Sequence, residues 1–344
     1  MSRQDRLKLL KELEETRKSK IIVYITGDRR GLETKIGDDI IPIFQNLLIN
    51  SQLNDKKIEL LIYSRGGRGS TALSLVSLIR EYCDDFNVII PWKAHSAATL
   101  IALGANSIIM LKSGQLSPVD VNVTTPFNPI IKSPRGPQNI PINVEDLSGY
   151  INFSKDILGI KSEESLVNVL SFLTNQLNPL ALGAVHRARE KNSKIASSLL
   201  KYHMEDEGVI KKISDIITMG LYEHSFLISR RDAINLKLPI ENLEDNMEKK
   251  IWDLFSEYSS ILELDQLYIQ EKMLGDNDIQ DVILHRAIIE CLDENKEDPK
   301  LNTYAFTTKR RLIRKDVEDP VLKITLPNIM EKNLEDGWIN NNSI

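Results

Sequence analysis

The sequence predicts an α/β protein built around a mainly parallel sheet, and three observations carry that prediction. Short runs rich in Ile, Val and Leu recur at 20–26, 58–63, 87–91 and 107–111. Between them, apolar residues fall at helical spacing over 38–50, 70–82 and 97–104. Strands that alternate with helices in this way are joined by crossovers, which makes them parallel and buries them on both faces. At 344 residues the chain is also long enough for one large core of this kind plus an appendage.

The elements follow in order. Leu7, Leu10 and Leu13 recur among charged residues, so 4–18 reads as an amphipathic helix. The strand at 20–26 is closed by the turn-forming Gly27-Asp28-Arg29-Arg30-Gly31. The strand at 58–63 runs into Ser64-Arg65-Gly66-Gly67-Arg68-Gly69-Ser70, and the strand at 87–91 into Ala94-His95-Ser96-Ala97-Ala98-Thr99. Residues 113–143 hold six prolines and read as a long loop. Helices are expected at 145–158, 162–173, 179–202 and 207–218. Near Asp245 the pattern changes to one helix, 245–260, and short strands at 282–291, 303–313 and 322–326. The division expected is a main α/β unit over 1–244 and a small C-terminal α+β addition, of unassigned role, over 245–344.

Composition narrows the function. The formal net charge is −5, from 44 Lys and Arg against 49 Asp and Glu. That argues against nucleic acid as the main ligand, since phosphate neutralisation needs a concentrated basic excess. Cys83 and Cys291 are far apart and suggest neither a disulfide framework nor a thiolate metal site, which fits a cytoplasmic protein. The charged N-terminal segment lacks an apolar signal core, and the apolar stretch 97–111 is too short to span a bilayer. No membrane insertion is expected. His186, His203 and His285 show no metal-ligand spacing, and no cofactor or metal is expected.

The chemistry concentrates at Ser96. A strand gives way there to small, helix-forming residues, which puts the hydroxyl at a helix N-terminus, where unpaired N–H groups stabilise negative charge. A helix N-cap is the competing role for such a serine. The glycines after the 58–63 strand let backbone N–H groups face a cleft at no steric cost, as an oxyanion hole requires. Arg65 and Arg68 flank them and are candidates to bind a substrate carboxylate.

These segments, with Leu116-Ser117-Pro118-Val119-Asp120, Asn178-Pro179-Leu180-Ala181-Leu182-Gly183 and His224-Ser225-Phe226-Leu227-Ile228-Ser229-Arg230-Arg231-Asp232-Ala233, resemble the serine dehydrogenase proteinase family. That family lies in the ClpP/crotonase superfamily and is related to SppA-like serine peptidases. The resemblance covers roughly residues 1–242. It implies a spiral of βαβ units, a serine nucleophile at Ser96, oxyanion donors at the N–H groups of Gly67 and Ala97, a peptide or protein substrate, and a homo-oligomer. In ClpP-like triads a histidine follows the serine by about one helix and one strand, but this chain has no histidine between His95 and His186. Asp120 stands near that place, and His224 precedes a stretch resembling the one after the ClpP triad aspartate. The expected triad is therefore Ser96, His224 and Asp120. A Ser-Lys dyad with Lys132 or Lys155 as base is the alternative. Two other activities share the fold: acyl-CoA chemistry of the crotonase type, and a non-catalytic scaffold that binds a protein partner through the C-terminal addition.

Overall fold

The computed structural model describes residues 3–50, 57–119, 122–133, 136–220, 227–293, 300–315, 317–318, 325–326 and 328–341. Helix α1 (Arg3–Arg17) leads into β1 (Ser19–Thr26), and a 3-10 turn at Asp38–Ile40 opens α2 (Ile41–Asn50). The alternation continues through β2 (Lys57–Tyr63), α3 (Gly69–Arg80), β3 (Phe86–Ile90), the short β4 (Lys93–Ala94), α4 (Ala97–Leu103) and β5 (Ser107–Met110). These bounds lie within a residue or two of those read from periodicity.

The proline-rich stretch carries short strands where a loop was expected: β6 (Gln115–Leu116), β7 (Asn122–Val123), β8 (Ile130–Ser133), β9 (Gly136–Asn139) and β10 (Ile142–Asn143). Strands β8 and β9 form a hairpin, and β7 pairs with β10. Too few apolar residues alternate there for period-two patterning to show. Next come α5 (Val144–Asn152), which ends in a π turn, α6 (Glu163–Gln176), α7 (Pro179–Leu200) and α8 (Glu207–Asp215), followed by a π turn at Ile216–Gly220. Helix α7 starts sharply because the Asn178 side chain accepts the Leu180 N–H and Pro179 occupies the first turn, where no N–H is needed.

The C-terminal third begins with β11 (Ile228–Ser229), α9 (Arg230–Asn235) and β12 (Ile240–Glu241). It continues through α10 (Asp245–Ile261), α11 (Gln270–Leu274), β13 (Ile279–Asp293) and β14 (Lys300–Arg314), then β15 (Val317–Glu318), β16 (Thr325–Leu326) and β17 (Ile329–Asn340). One eight-stranded sheet runs in the order β12-β5-β3-β2-β1-β13-β14-β17. The first five strands are mutually parallel, and the last three join antiparallel beside β1. Strands β13 and β14, 15 residues each, are longer than the strands expected at 282–291 and 303–313, and β17, 12 residues, falls where none was expected; all three build on the sheet's own edge. Their half-exposed polar ends hide their length from a hydrophobicity pattern. Of the strand expected at 322–326, residues 322–324 lie outside the described residues and the rest is the two-residue β16.

Strand β1 is buried along its whole length and feeds two cores. Ile22 and Tyr24 face the layer of α2, α3, α4 and α7, whereas Ile21, Val23 and Ile25 face α1 and α10. This alternation is the period of a strand covered on both faces. Each fully buried Ile or Leu contributes about 1.5–3 kcal/mol, so the central strands form a stiff frame. The loops leaving their C-terminal ends inherit that stiffness.

Candidate active site

Two of those loops meet. Beyond β2, Ser64 donates its N–H to the Lys93 carbonyl at 2.9 Å, and its own carbonyl accepts the His95 N–H at 2.9 Å. Its Oγ accepts the Thr26 hydroxyl at 2.7 Å and the Gly66 N–H at 3.0 Å. One buried serine therefore ties the glycine loop to the turn that carries Ser96. Below it, Asp28 accepts hydrogen bonds from Tyr63 Oη at 2.8 Å and Lys93 Nζ at 2.7 Å, which joins the ends of β1, β2 and β4. Burial, reinforced by Asp28, pushes the Tyr63 phenol well above its ordinary pKa, so it acts as a donor.

Gly66 has φ +104°, and a Cβ there would fall 2.6 Å from Ser96 Cβ and 2.8 Å from the His95 carbonyl oxygen. Only glycine allows this approach. On the outer side, the Ile36 N–H donates to the Gly66 carbonyl and the Arg68 N–H to the Ile36 carbonyl, both at 2.9 Å. That bridge leaves the Gly67 N–H without an acceptor among the described residues.

Ser96 itself has φ 51° and ψ −114° and sits at the N-cap position of α4, yet its side chain caps nothing. Positive φ at a non-glycine residue costs on the order of 1–3 kcal/mol and persists only where the surroundings enforce it. Here the Ser96 N–H donates to Ser117 Oγ at 2.9 Å, and the Leu100 N–H donates to the Ser96 carbonyl at 3.1 Å. Thr99 Oγ1 lies 2.8 Å from the Ala94 carbonyl oxygen and 2.9 Å from that of Ser117, and it accepts the Ser117 N–H at 3.1 Å. A serine held in strain between a strand and a helix, and lining a groove, has the form of a nucleophile elbow. Ala97 opens α4, so its N–H is one of the donors a helix start leaves unsatisfied. Ser96, Gly66, Gly67 and Val119 line one groove of about 850 Å³, walled on the far side by Ala188, Lys191 and Asn192 of α7.

Asp120 and His224 lie outside the described residues. Their flanking segments are described. A small sheet in the order β11-β6-β4 pairs β4 parallel with β6, and β6 antiparallel with β11. The described residues next after β4, next after β6 and next before β11 therefore lie at one end of this sheet. Ser96 follows β4, Ser117 to Val119 follow β6, and Leu227 precedes β11. Lys132 is exposed on the β8–β9 hairpin and Lys155 is exposed in the π turn after α5; neither lines the groove.

Two of the other histidines are held elsewhere. His203 Nε2 packs 2.9 Å from the Leu103 carbonyl oxygen, and burial holds its pKa below the ordinary value. Burial likewise lowers the pKa of His285, against the opposing effect of Glu263. Among the described residues no cluster of His, Cys, Asp and Glu is placed to hold a metal ion. Nor is any described helix long and apolar enough to cross a membrane. Ser64, Thr99 and Ser117 lie inside the motifs read from the sequence, but their bracing roles do not show there, and Ile36 lies in none of those motifs.

Residues 1–140 match the sequence model of the family described as ClpP-like SDH-type serine proteinase, which bears out the resemblance over that part of the chain. The chain is similar to two uncharacterized proteins of Methanocaldococcus jannaschii. One is 25% identical over 264 residues, covering 74% of this chain and 78% of its own length. The other is 30% identical over 128 residues, covering 34% of this chain and 42% of its own length. Solved structures with similarity include a membrane-bound stomatin-specific protease, 15% identical with TM-score 0.35, spanning 67% of this chain and 85% of that one. Another is ClpP1 from Listeria monocytogenes, 14% identical with TM-score 0.35, spanning 70% of this chain and 99% of that one.

Proposed function

We propose that this protein is a serine peptidase that forms an acyl-enzyme at Ser96. The observation that carries the reading is the strained backbone of Ser96, set against a glycine loop whose Gly67 N–H has no acceptor among the described residues. In the proposed cycle His224 takes the Ser96 hydroxyl proton as Oγ attacks the scissile carbonyl carbon, and Asp120 orients the imidazole. The developing oxyanion is received by the Gly67 and Ala97 N–H groups. Collapse breaks the C–N bond, and the imidazolium returns its proton to the leaving amine. Water then hydrolyses the ester with the same histidine as base.

Three things support His224 over Lys132 and Lys155: the gathering of three chain segments at one end of the small sheet, the exposure of both lysines away from the groove, and the docking of His203 elsewhere. We assign residues 1–244 to the peptidase unit and residues 245–344 to an addition that braces it and is available to a protein partner. A cytoplasmic location fits the two free cysteines. A homo-oligomer fits α6, which buries none of its residues and exposes Val167, Leu170 and Phe172.

The test is covalent labelling with a fluorophosphonate probe followed by peptide hydrolysis. Ser96 is the expected site of the label, and Ser96→Ala is expected to lose about 10³-fold or more in kcat/KM. The rate should climb with an apparent pKa of about 6–7, the histidine range, and fall at least about 10²-fold in His224→Ala. Undiminished turnover in Ser96→Ala overturns the reading.

A further inference from the structure

The groove that holds Ser96 is walled by cations from three separate stretches of chain. Lys35 comes from the segment before α2, Arg65 and Arg68 from the glycine loop, and Lys191 from α7. No carboxylate appears among the described residues that line it, although the chain as a whole carries a net charge of −5. The charged side chains among these described lining residues are therefore all cationic.

Arg68 is already engaged, since its Nη1 lies 2.7 Å from Asp38 Oδ2. Hydrogen bonds from Thr71 and Arg68 hold the Asp38 carboxyl below its usual range, so this pair stays ionised. Lys35, Arg65 and Lys191 are exposed and make no close ion pair among the described residues, although the Lys191 charge also acts on Asp38. Cations along a concave, low-dielectric wall focus their potential into the space between them. An anion entering that space exchanges water for charge-assisted hydrogen bonds. The same field favours an oxyanion forming at Ser96. Exposed ion pairs are individually weak, so selectivity must accumulate over several cations.

We infer that the groove selects peptides bearing a carboxylate close to the scissile bond, bound by Arg65, Lys35 and Lys191. This deepens the serine-peptidase reading of Ser96 and rests on it. The carboxylate has two possible sources, an Asp or Glu side chain or the free C-terminus of a short peptide.

The experiment uses the full chain and internally quenched peptides that differ only in Glu, Gln or Lys on both sides of a central dipeptide, each made with a free and an amidated C-terminus. The Glu peptide is expected to exceed the Gln peptide at least tenfold in kcat/KM, chiefly through KM, with the Lys peptide slowest. The advantage should shrink severalfold in 0.5 M salt, through screening. It should also shrink in Lys35→Glu and Lys191→Glu. A gain that follows Glu in amidated peptides assigns the carboxylate to the side chain, and a gain that follows the free end assigns it to the terminus. Where turnover is too slow to measure, the same ranking is read from protection of Ser96 against the fluorophosphonate. If Ser96 labels but Glu, Gln, Lys, free and amidated peptides all perform alike, the carboxylate preference is overturned and the serine mechanism stands. If Ser96 neither labels nor cleaves any peptide, the mechanism falls and this inference falls with it.

Discussion

Ser96 is a costly residue to build, and Ser117 is what makes it possible. Its Oγ accepts the Ser96 N–H at 2.9 Å and donates onward to the Pro118 carbonyl at 2.9 Å, in a fully buried position. Removing that oxygen strands a buried N–H, which costs about 1–3 kcal/mol, and releases the strained φ of the adjoining residue. Ser117→Ala is therefore expected to lower kcat about 10- to 100-fold with KM changed less than about twofold, because the groove wall of Lys35, Arg65 and Lys191 is untouched. Ser117→Thr keeps the acceptor and should recover part of the loss. Parallel steady-state kinetics on the three proteins check this; an equal rise in KM in both variants would indicate general loosening instead. The serine was legible in the sequence as part of a motif. Its acceptor role was not, because 21 residues separate it from Ser96.

Among the elements, β13 does the most beyond its own length. Its register against β14 shifts between His285 and Ala287, so Arg286 occupies a β-bulge. A bulge re-aims a side chain and bends its strand. Here the Arg286 carbonyl accepts the Gly27 N–H at 2.7 Å, while Nε donates to the Leu32 carbonyl at 3.0 Å and Nη2 to the Glu33 carbonyl at 2.5 Å. The segment so gripped runs on to Ile36, which bridges the glycine loop. The C-terminal addition thus grips the segment before the glycine-loop bridge through Arg286, alongside the bonds of Arg29 to Glu263, Gln266 and Leu267 and of Trp338 to Asp39. Arg286→Ala is expected to lower kcat/KM about tenfold and to speed proteolytic nicking of residues 27–37. Arg286→Lys should rescue little, since an ammonium cannot reproduce the two-carbonyl fork. Limited proteolysis alongside peptide kinetics measures both; an Arg286→Ala protein with unchanged kinetics and nicking would remove the clamp.

At the scale of the molecule, buried ion pairs lock the helical layer to the sheet. Arg17 of α1 reaches Glu59 of β2 at 2.5 Å and Glu241 of β12 at 3.0 Å, so one guanidinium joins three elements. Burial alone would raise the Glu59 pKa, but hydrogen bonds and charge from Arg17 and then Lys57 outweigh it and hold the carboxyl below its usual value. A depressed folded pKa means the contribution is complete above the ordinary glutamate value and is lost as pH falls toward the folded one. Thermal melts from pH 7 to 3 should show wild type losing stability below about pH 5. In Glu59→Gln that acid-linked loss should be smaller, on a baseline about 3 kcal/mol lower, the smaller end of the range because Arg17 keeps Glu241. Parallel pH profiles for the two proteins would count against Glu59 as an acid-sensitive lock.

The sequence by itself determined the alternation of strand and helix, the parallel half of the sheet, and the pairing of Ser96 with Gly66 and Gly67. Each rests on short-range information: hydrophobic period, glycine tolerance, and a strand running directly into a helix. Tertiary structure alone decided that β13 and β14 extend the same sheet, that Ser64 and Ser117 brace the two loops, and that Lys35, Arg65 and Lys191 wall one groove. Those facts depend on contacts between residues far apart in the chain, which no local pattern encodes until the strands are laid side by side.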